Sequence, residues 1–158
     1  MEQIRARLPA RSRAGLSLTE VIVALAIIGI VSAVAIPTAK KGMASEAIRG
    51  ARRSVTTQLA RARGTAATRG CRSVLHMTSG ANAQIWVTSC AIGGAGVDTI
   101  GGVQDLGSRF GVNVSTSGDS VIFSPNGLGS SPGWIVMKFG KAGHSDSLSI
   151  SPIGWATW

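Results

Sequence analysis

The sequence has 158 residues, of which 16 are lysine or arginine and 7 aspartate or glutamate, for a net charge of +9. That length accommodates one membrane segment and one small globular domain of roughly a hundred residues, and no internal repeat or second globular domain is visible. The charge leaves an anionic partner open without selecting one, and Cys71, Cys90, His76 and His144 do not form a zinc spacing, so no cofactor or metal is expected.

The chain opens on a basic stretch, residues 1–15, with Arg5, Arg7, Arg11 and Arg13. Residues 16–39 are then almost wholly apolar. As a helix rising ~1.5 Å per residue they reach ~36 Å, enough for a ~30 Å hydrocarbon core. Ile22, Val23, Leu25, Ile27, Ile28, Ile30 and Val31 leave no polar face, which excludes a surface helix of a soluble core. The positive-inside bias holds the arginines in the cytoplasm, and Lys40 and Lys41 weaken that asymmetry without reversing it. The globular part is therefore expected in the periplasm, anchored to the inner membrane by a single pass. An ordinary signal peptide has a shorter apolar run and a cut site after it, and neither is present.

Glu20 interrupts the apolar run. An ionised acid at a helix centre costs roughly 2.5–3.5 kcal/mol on insertion scales, and less near an end. Either the carboxylate snorkels to the interface, or it meets a cation supplied by another chain. Cleavage between Gly15 and Leu16 creates such a cation, an α-amino group at the same depth. It can pair with Glu20 of a neighbour, and burial makes the pair directional.

Beyond the membrane run, Ala44, Ala47, Ile48, Ala51, Val55, Leu59, Ala62 and Ala66 recur at three and four residues. This predicts an amphipathic continuation of the helix over residues 40–69, with an alanine-built face that lets a sheet approach closely. Arg49, Arg52, Arg53 and Arg63 fall on its other faces, and Gly70 is its stop. After Gly70 the period becomes two. Strands are predicted at 73–78, 83–89, 110–116, 120–124, 133–139 and 147–151, with turns at 79–82 and 124–127 and a glycine-rich loop at 93–102. The expected fold is α+β: a long N-terminal helix packed on a small antiparallel sheet or sandwich, the β domain spanning 70–158.

"G-LSLTE" at residues 15–20, followed by a long hydrophobic helix, resembles the processing signal of the type IV pilin and pseudopilin superfamily. The resemblance implies that prepilin peptidase removes residues 1–15 after Gly15 and N-methylates Leu16. It also implies that Glu20 guides assembly with other pilin or pseudopilin subunits. Many members have Phe where this chain has Leu16, and Pro37 stands where pilins commonly interrupt the helix. More loosely, "QLARARGTAATRGCRSVLHM", "VIFSPNGLGSSPG" and "SLSISPIGWATW" look like the GspH/FimT family of minor pseudopilins. Its members prime or cap short filaments in type II secretion or type IV pilus systems, and some of the pilus branch bind DNA.

DNA is the point of departure from that family. Its closing segment often reads glycine-arginine-x-arginine, whereas Gly154, Trp155, Ala156 and Thr157 stand here, and Leu128 occupies a position that is commonly basic. The contacting arginines therefore do not carry over. Removing residues 1–15 takes away four arginines and Glu2, leaving 12 basic and 6 acidic residues, or +6. A basic helix face bearing Arg49, Arg52, Arg53 and Arg63 either holds DNA phosphates weakly or is a solvated or headgroup-facing stripe.

Cys71 and Cys90 flank a predicted hairpin. In an oxidising periplasm they either pair, closing a loop of about 20 residues, or stay two buried thiols. Catalysis finds no foothold, and the chain is read as no enzyme. Residues 129–133 match G-x-S-x-G formally, but Pro132 lacks the N–H that would serve an oxyanion. His144 and Asp146 sit in a predicted loop, and no GK[ST] phosphate loop occurs.

Overall fold

The computed structural model describes residues 17–93 and 96–157. The chain divides into two compact units, residues 1–38 and 39–158. Of the expected leader, residues 1–15, and of Leu16, everything lies outside the described residues.

Helix α1 runs Leu18–Arg69 with Pro37 inside it. In its first half large apolar side chains are exposed: Leu25, Ile28 and Ile30 are 62, 60 and 70% exposed. An 18-residue window of the helix is long and apolar enough to cross a membrane. Leucine, isoleucine and valine exposed on every face cannot rest in water, since each loses roughly 1.5–3 kcal/mol relative to burial.

In the second unit the same helix becomes amphipathic. Ala44, Ile48, Ala51, Val55, Leu59, Ala62 and Ala66 are buried, and all but Ala44 join one cluster with residues from both sheets. Most of these side chains are small, so the helix backbone can lie close to the sheets. Gln58 is fully buried too. Its Oε1 accepts from Arg61 Nη1 at 3.3 Å, while its Nε2 has no partner among the described residues.

The β part is two four-stranded antiparallel sheets. Strands β1 (Ser73–Met77), β2 (Gln84–Cys90), β3 (Val97–Asp105) and β5 (Ser120–Phe123) form the first, in the order β3-β2-β1-β5. Strands β4 (Asn113–Thr116), β6 (Ile135–Lys141), β7 (His144–Ile150) and β8 (Ala156–Thr157) form the second, in the order β4-β6-β7-β8. Alternate residues point inward: Leu75 and Met77 of β1, Ile85 and Val87 of β2, Val121 and Phe123 of β5, Met137 and Phe139 of β6, and Leu148 and Ile150 of β7. This is the α+β arrangement of a long helix packed on antiparallel sheet.

Three sequence expectations need correction. The glycine-rich stretch 93–102 is not all loop, because β3 begins at Val97 and pairs with β2 from Cys90↔Val97 to Gln84↔Asp105. Gly101 and Gly102, with φ 75° and 76°, fall where the register shifts between Ile85 and Val87, so the glycines mark a bulge within a strand. Next, the strand expected from 110 starts at Asn113. Helix α2 (Leu106–Phe110) precedes it, capped by Asp105 Oδ1, which accepts from Ser108 N at 2.8 Å, and closed by Gly111 in the left-handed region. Finally, His144 and Asp146 belong to β7 rather than to a loop, since Ala142 and Gly143 alone make the β6–β7 turn.

Candidate functional site

Of the residues singled out for processing and assembly, Glu20 lies at the amino end of α1. Gly15 and Leu16 lie outside the described residues. From Ser17 onward the helix start is well formed: the Ser17 carbonyl accepts from Glu20 N at 3.0 Å and from Val21 N at 3.2 Å. Glu20 thus sits in the first turn, where unsatisfied N–H groups favour a negative charge. Among the described residues no hydrogen bond or ion pair engages its carboxylate. Its side chain is exposed, in a helix turn followed by an apolar run.

The four arginines singled out on the helix, Arg49, Arg52, Arg53 and Arg63, do not act as a set. Arg49 pairs with Glu46 one turn away, at 2.7 Å, with both side chains exposed. Arg52 reaches across to Asp146 on β7 and is half-buried. Arg53 is exposed, and its guanidinium makes no hydrogen bond or ion pair among the described residues. Arg63 is the most committed of the four. Its Nη2 donates to the Gly154 carbonyl at 2.7 Å, and its guanidinium lies 5.6 Å from the Phe123 ring centroid and 5.2 Å from that of Trp155. An arginine stacked between two rings and hydrogen-bonded to backbone has little left to offer a phosphate. Trp155 itself is 61% exposed. Ala60, Gly64 and Ala67 of α1 line a cleft with Leu128 and Trp155 beside this cluster.

Gly154 is required at that junction. Its φ is 85°, and a Cβ there would lie 2.5 Å from Phe123 Cε1. Gly129 is just as tightly placed, because a Cβ there would meet the backbone of Pro152, Ile153 and Gly154 at 2.4–2.5 Å. The terminal segment thus crosses residue 129 backbone against backbone before β8 joins the sheet. The G-x-S-x-G match at 129–133 lies in this crossing segment, where Gly129 bridges Phe123 and Ser130 N donates to the Ile122 carbonyl at 2.8 Å.

Cys71 and Cys90 are joined by a disulfide, with their Cα atoms 6.3 Å apart. Arg69, the last residue of α1, donates from Nη1 to the Cys90 carbonyl at 2.6 Å and pairs with Asp98 on β3 at 3.2 Å. Covalent and polar ties therefore fasten the end of the helix to the β2–β3 corner. Sequence reasoning missed Arg69 and Asp98, because nothing in their spacing marks a pair 29 positions apart. It also missed the Arg63–Gly154 bond, whose acceptor is a backbone carbonyl.

Residues 10–36 match the family model described as the prokaryotic N-terminal methylation motif. Two crystal structures of the type IV minor pilin FimU of Pseudomonas aeruginosa strain PAO1 share the fold. One, in space group P21, superposes with a TM-score of 0.55 at 14% identity, over 70% of this chain and 86% of that one. The other, in space group P65, gives 0.52 at 16% identity, over 69% and 90%. No curated protein sequence matches this chain.

Proposed function

We propose that this type IV minor pilin-like protein, with its prepilin methylation motif, is a minor pseudopilin. In this reading it is a structural and priming subunit of a type II secretion or type IV pilus machine. Prepilin peptidase removes residues 1–15, Leu16 becomes the N-methylated terminus, and the first half of α1 anchors the chain in the inner membrane with residues 70–158 in the periplasm. Assembly then proceeds helix against helix with other pilin subunits, the Glu20 carboxylate meeting the terminal cation of a neighbour. The role is one of packing, not of catalysis.

The observation that carries the reading is the methylation motif over residues 10–36, which takes in the exposed apolar start of α1 with one acid in its first turn. The minor pilin fold of the rest of the chain supports it. Coexpression with a prepilin peptidase tests it: intact mass should fall by residues 1–15 and rise by one methyl group at Leu16. An unchanged mass beside an active peptidase would sink the reading. Replacing Gly15 with a bulky residue should block the cut.

A further inference from the structure

The outer face of the first sheet carries groups for which helix-driven assembly has no use. After β5 the chain turns back along that strand's free edge, with Ser130 N donating to the Ile122 carbonyl and Ile122 N donating to Ser131 Oγ at 3.2 Å. This return brings Pro132, Gly133 and Trp134 beside the β4–β5 turn, and together they line an open cleft of about 450 Å³. One wall is Trp134, 60% exposed; the other holds Ser117, Asp119 and Ser120; Ile122 and Ile135 also line it. A second cleft, of about 630 Å³ and lined by Met77, Thr78, Ser79 and Thr116, adjoins it through Ser117, Gly118 and Asp119.

The turn between the clefts is fixed. Ser117 N donates to the Val136 carbonyl at 3.0 Å, while Val136 N donates to Ser117 Oγ at 2.9 Å. Thr116 Oγ1 donates to the Gly118 carbonyl at 2.6 Å, and Met77 N to the Asp119 carbonyl at 2.8 Å. The backbone of the turn is thus tied down, and the one hydrogen bond to the Asp119 carboxylate among the described residues comes from Ser120 Oγ, at 3.0 Å to Oδ1. Next along the same face, His76 pairs with Ser120 on one side and with Trp86 on the other. The His76 and Trp86 rings stack, their centroids 5.1 Å apart and their planes 12° from parallel. At ~4.8 Å per strand, the row from Trp86 across His76 to Ser120 spans roughly 10 Å before it meets the cleft.

We propose that this face, from Trp86 and His76 to the cleft of Trp134 and Asp119, is a binding site for a neutral oligosaccharide. A pyranose ring presents polarised C–H groups on its face and hydroxyl donors around its edge. The first suit an electron-rich indole plate, and the second suit a carboxylate with an uncommitted oxygen in a cleft lined by serines and threonines. The clefts are of the size small-molecule sites have, and their fixed turn lowers the ordering cost of binding. Charge separates this ligand from the alternatives. None of the described residues lining either cleft is lysine or arginine, and Asp119 repels phosphates and acidic sugars alike.

The site is independent of which filament the helix enters, so its test is separate. The full chain, purified in lauryldimethylamine oxide to avoid a sugar headgroup, is titrated with chitotetraose, cellotetraose, maltotetraose and mannotetraose up to about 10 mM, with saturation-transfer NMR as the readout. At least one probe should show saturable binding, with half-saturation on the order of 1 mM. Trp134→Ala and Asp119→Asn should each weaken it about tenfold, while Trp155→Ala leaves it unchanged. Asp119→Asn preserves shape at an exposed position, so it decides the matter even if Trp134→Ala alters the loop. The proposal is overturned by absence of saturable binding to all four probes, or by binding that survives both changes. It also falls if a proline-rich decapeptide, titrated in parallel, occupies the same residues more tightly, for the face would then be a peptide groove.

Discussion

Arg63 on the helix and Gly154 near the end of the chain, 91 positions apart, are joined by a 2.7 Å hydrogen bond from Nη2 to the glycine carbonyl. The bond forms only because Gly154 has no side chain. Its Cα faces the Phe123 ring and the Arg63 guanidinium, and its φ of 85° is one that other residues resist. Helix, first sheet and terminal segment meet at this point.

Gly154→Ala should therefore destabilise the second unit by about 2–4 kcal/mol, combining an unfavourable φ with overpacking against Phe123. Arg63→Ala should cost about 1–3 kcal/mol, because it leaves the carbonyl of the buried Gly154 without its side-chain donor. Thermal melts of both variants against the parent check these losses. A Gly154→Ala protein that melts with the parent would refute the packing described.

Loss of the Cys71–Cys90 bond should cost about 3 kcal/mol, the entropy of a closed loop with a sequence separation of 19. Cys71→Ser with Cys90→Ser should melt lower than the oxidised parent and should be insensitive to dithiothreitol. The Arg69 ties to Cys90 and Asp98 remain, so the fold should persist and only its stability should fall.

DNA binding should be weak and independent of sequence. Of Arg49, Arg52, Arg53 and Arg63, Arg63 is held by rings and backbone and Arg52 is half-buried against Asp146, which leaves the exposed Arg53, and Arg49 once it gives up its exposed pair with Glu46, to reach phosphates. Two contacts on duplex DNA imply a salt slope near −1.8, at roughly −0.9 per phosphate. Gel shifts at two salt concentrations should show that slope flatten in Arg49→Gln with Arg53→Gln. A steep slope that survives the double change, or tight binding lost on replacing Trp155, would assign DNA to the terminal strand instead.

Glu20→Ala should leave insertion and cleavage intact, and insertion should improve slightly as a costly acid leaves the lipid. Incorporation into filaments should fall, measured by crosslinking to other pilins. Normal copurification of the variant would remove the pairing role from Glu20.

The helix was legible from sequence because its signal is local. Seven buried positions from Ala44 to Ala66 repeat at three and four, and the apolar run before them needs no partner to be read. Six strands could be placed by alternation for the same reason. Strand β3 could not, since Gly101 and Gly102 sit inside it and the pairing that holds it comes from β2. Arg63 read as one more surface charge because its partners, a carbonyl and two rings, lie far along the chain at Phe123, Gly154 and Trp155. The row of Trp86, His76 and Ser120 is equally invisible in one dimension. Each residue lies on a different strand, and only the register brings them side by side.

The uncovered apolar helix of the first unit constrains the route this protein can travel. Leu18, Ile22, Leu25, Ile28, Ile30 and Ile36 are all exposed along it, and several such side chains at roughly 1.5–3 kcal/mol each put aqueous passage more than about 10 kcal/mol uphill. Such a subunit cannot diffuse free to a growing end. It can leave lipid only sideways, with each apolar side chain exchanging an acyl neighbour for a protein one as it moves. The rate of incorporation should therefore track the lateral density of chains in the bilayer, rather than their concentration in the compartment outside it.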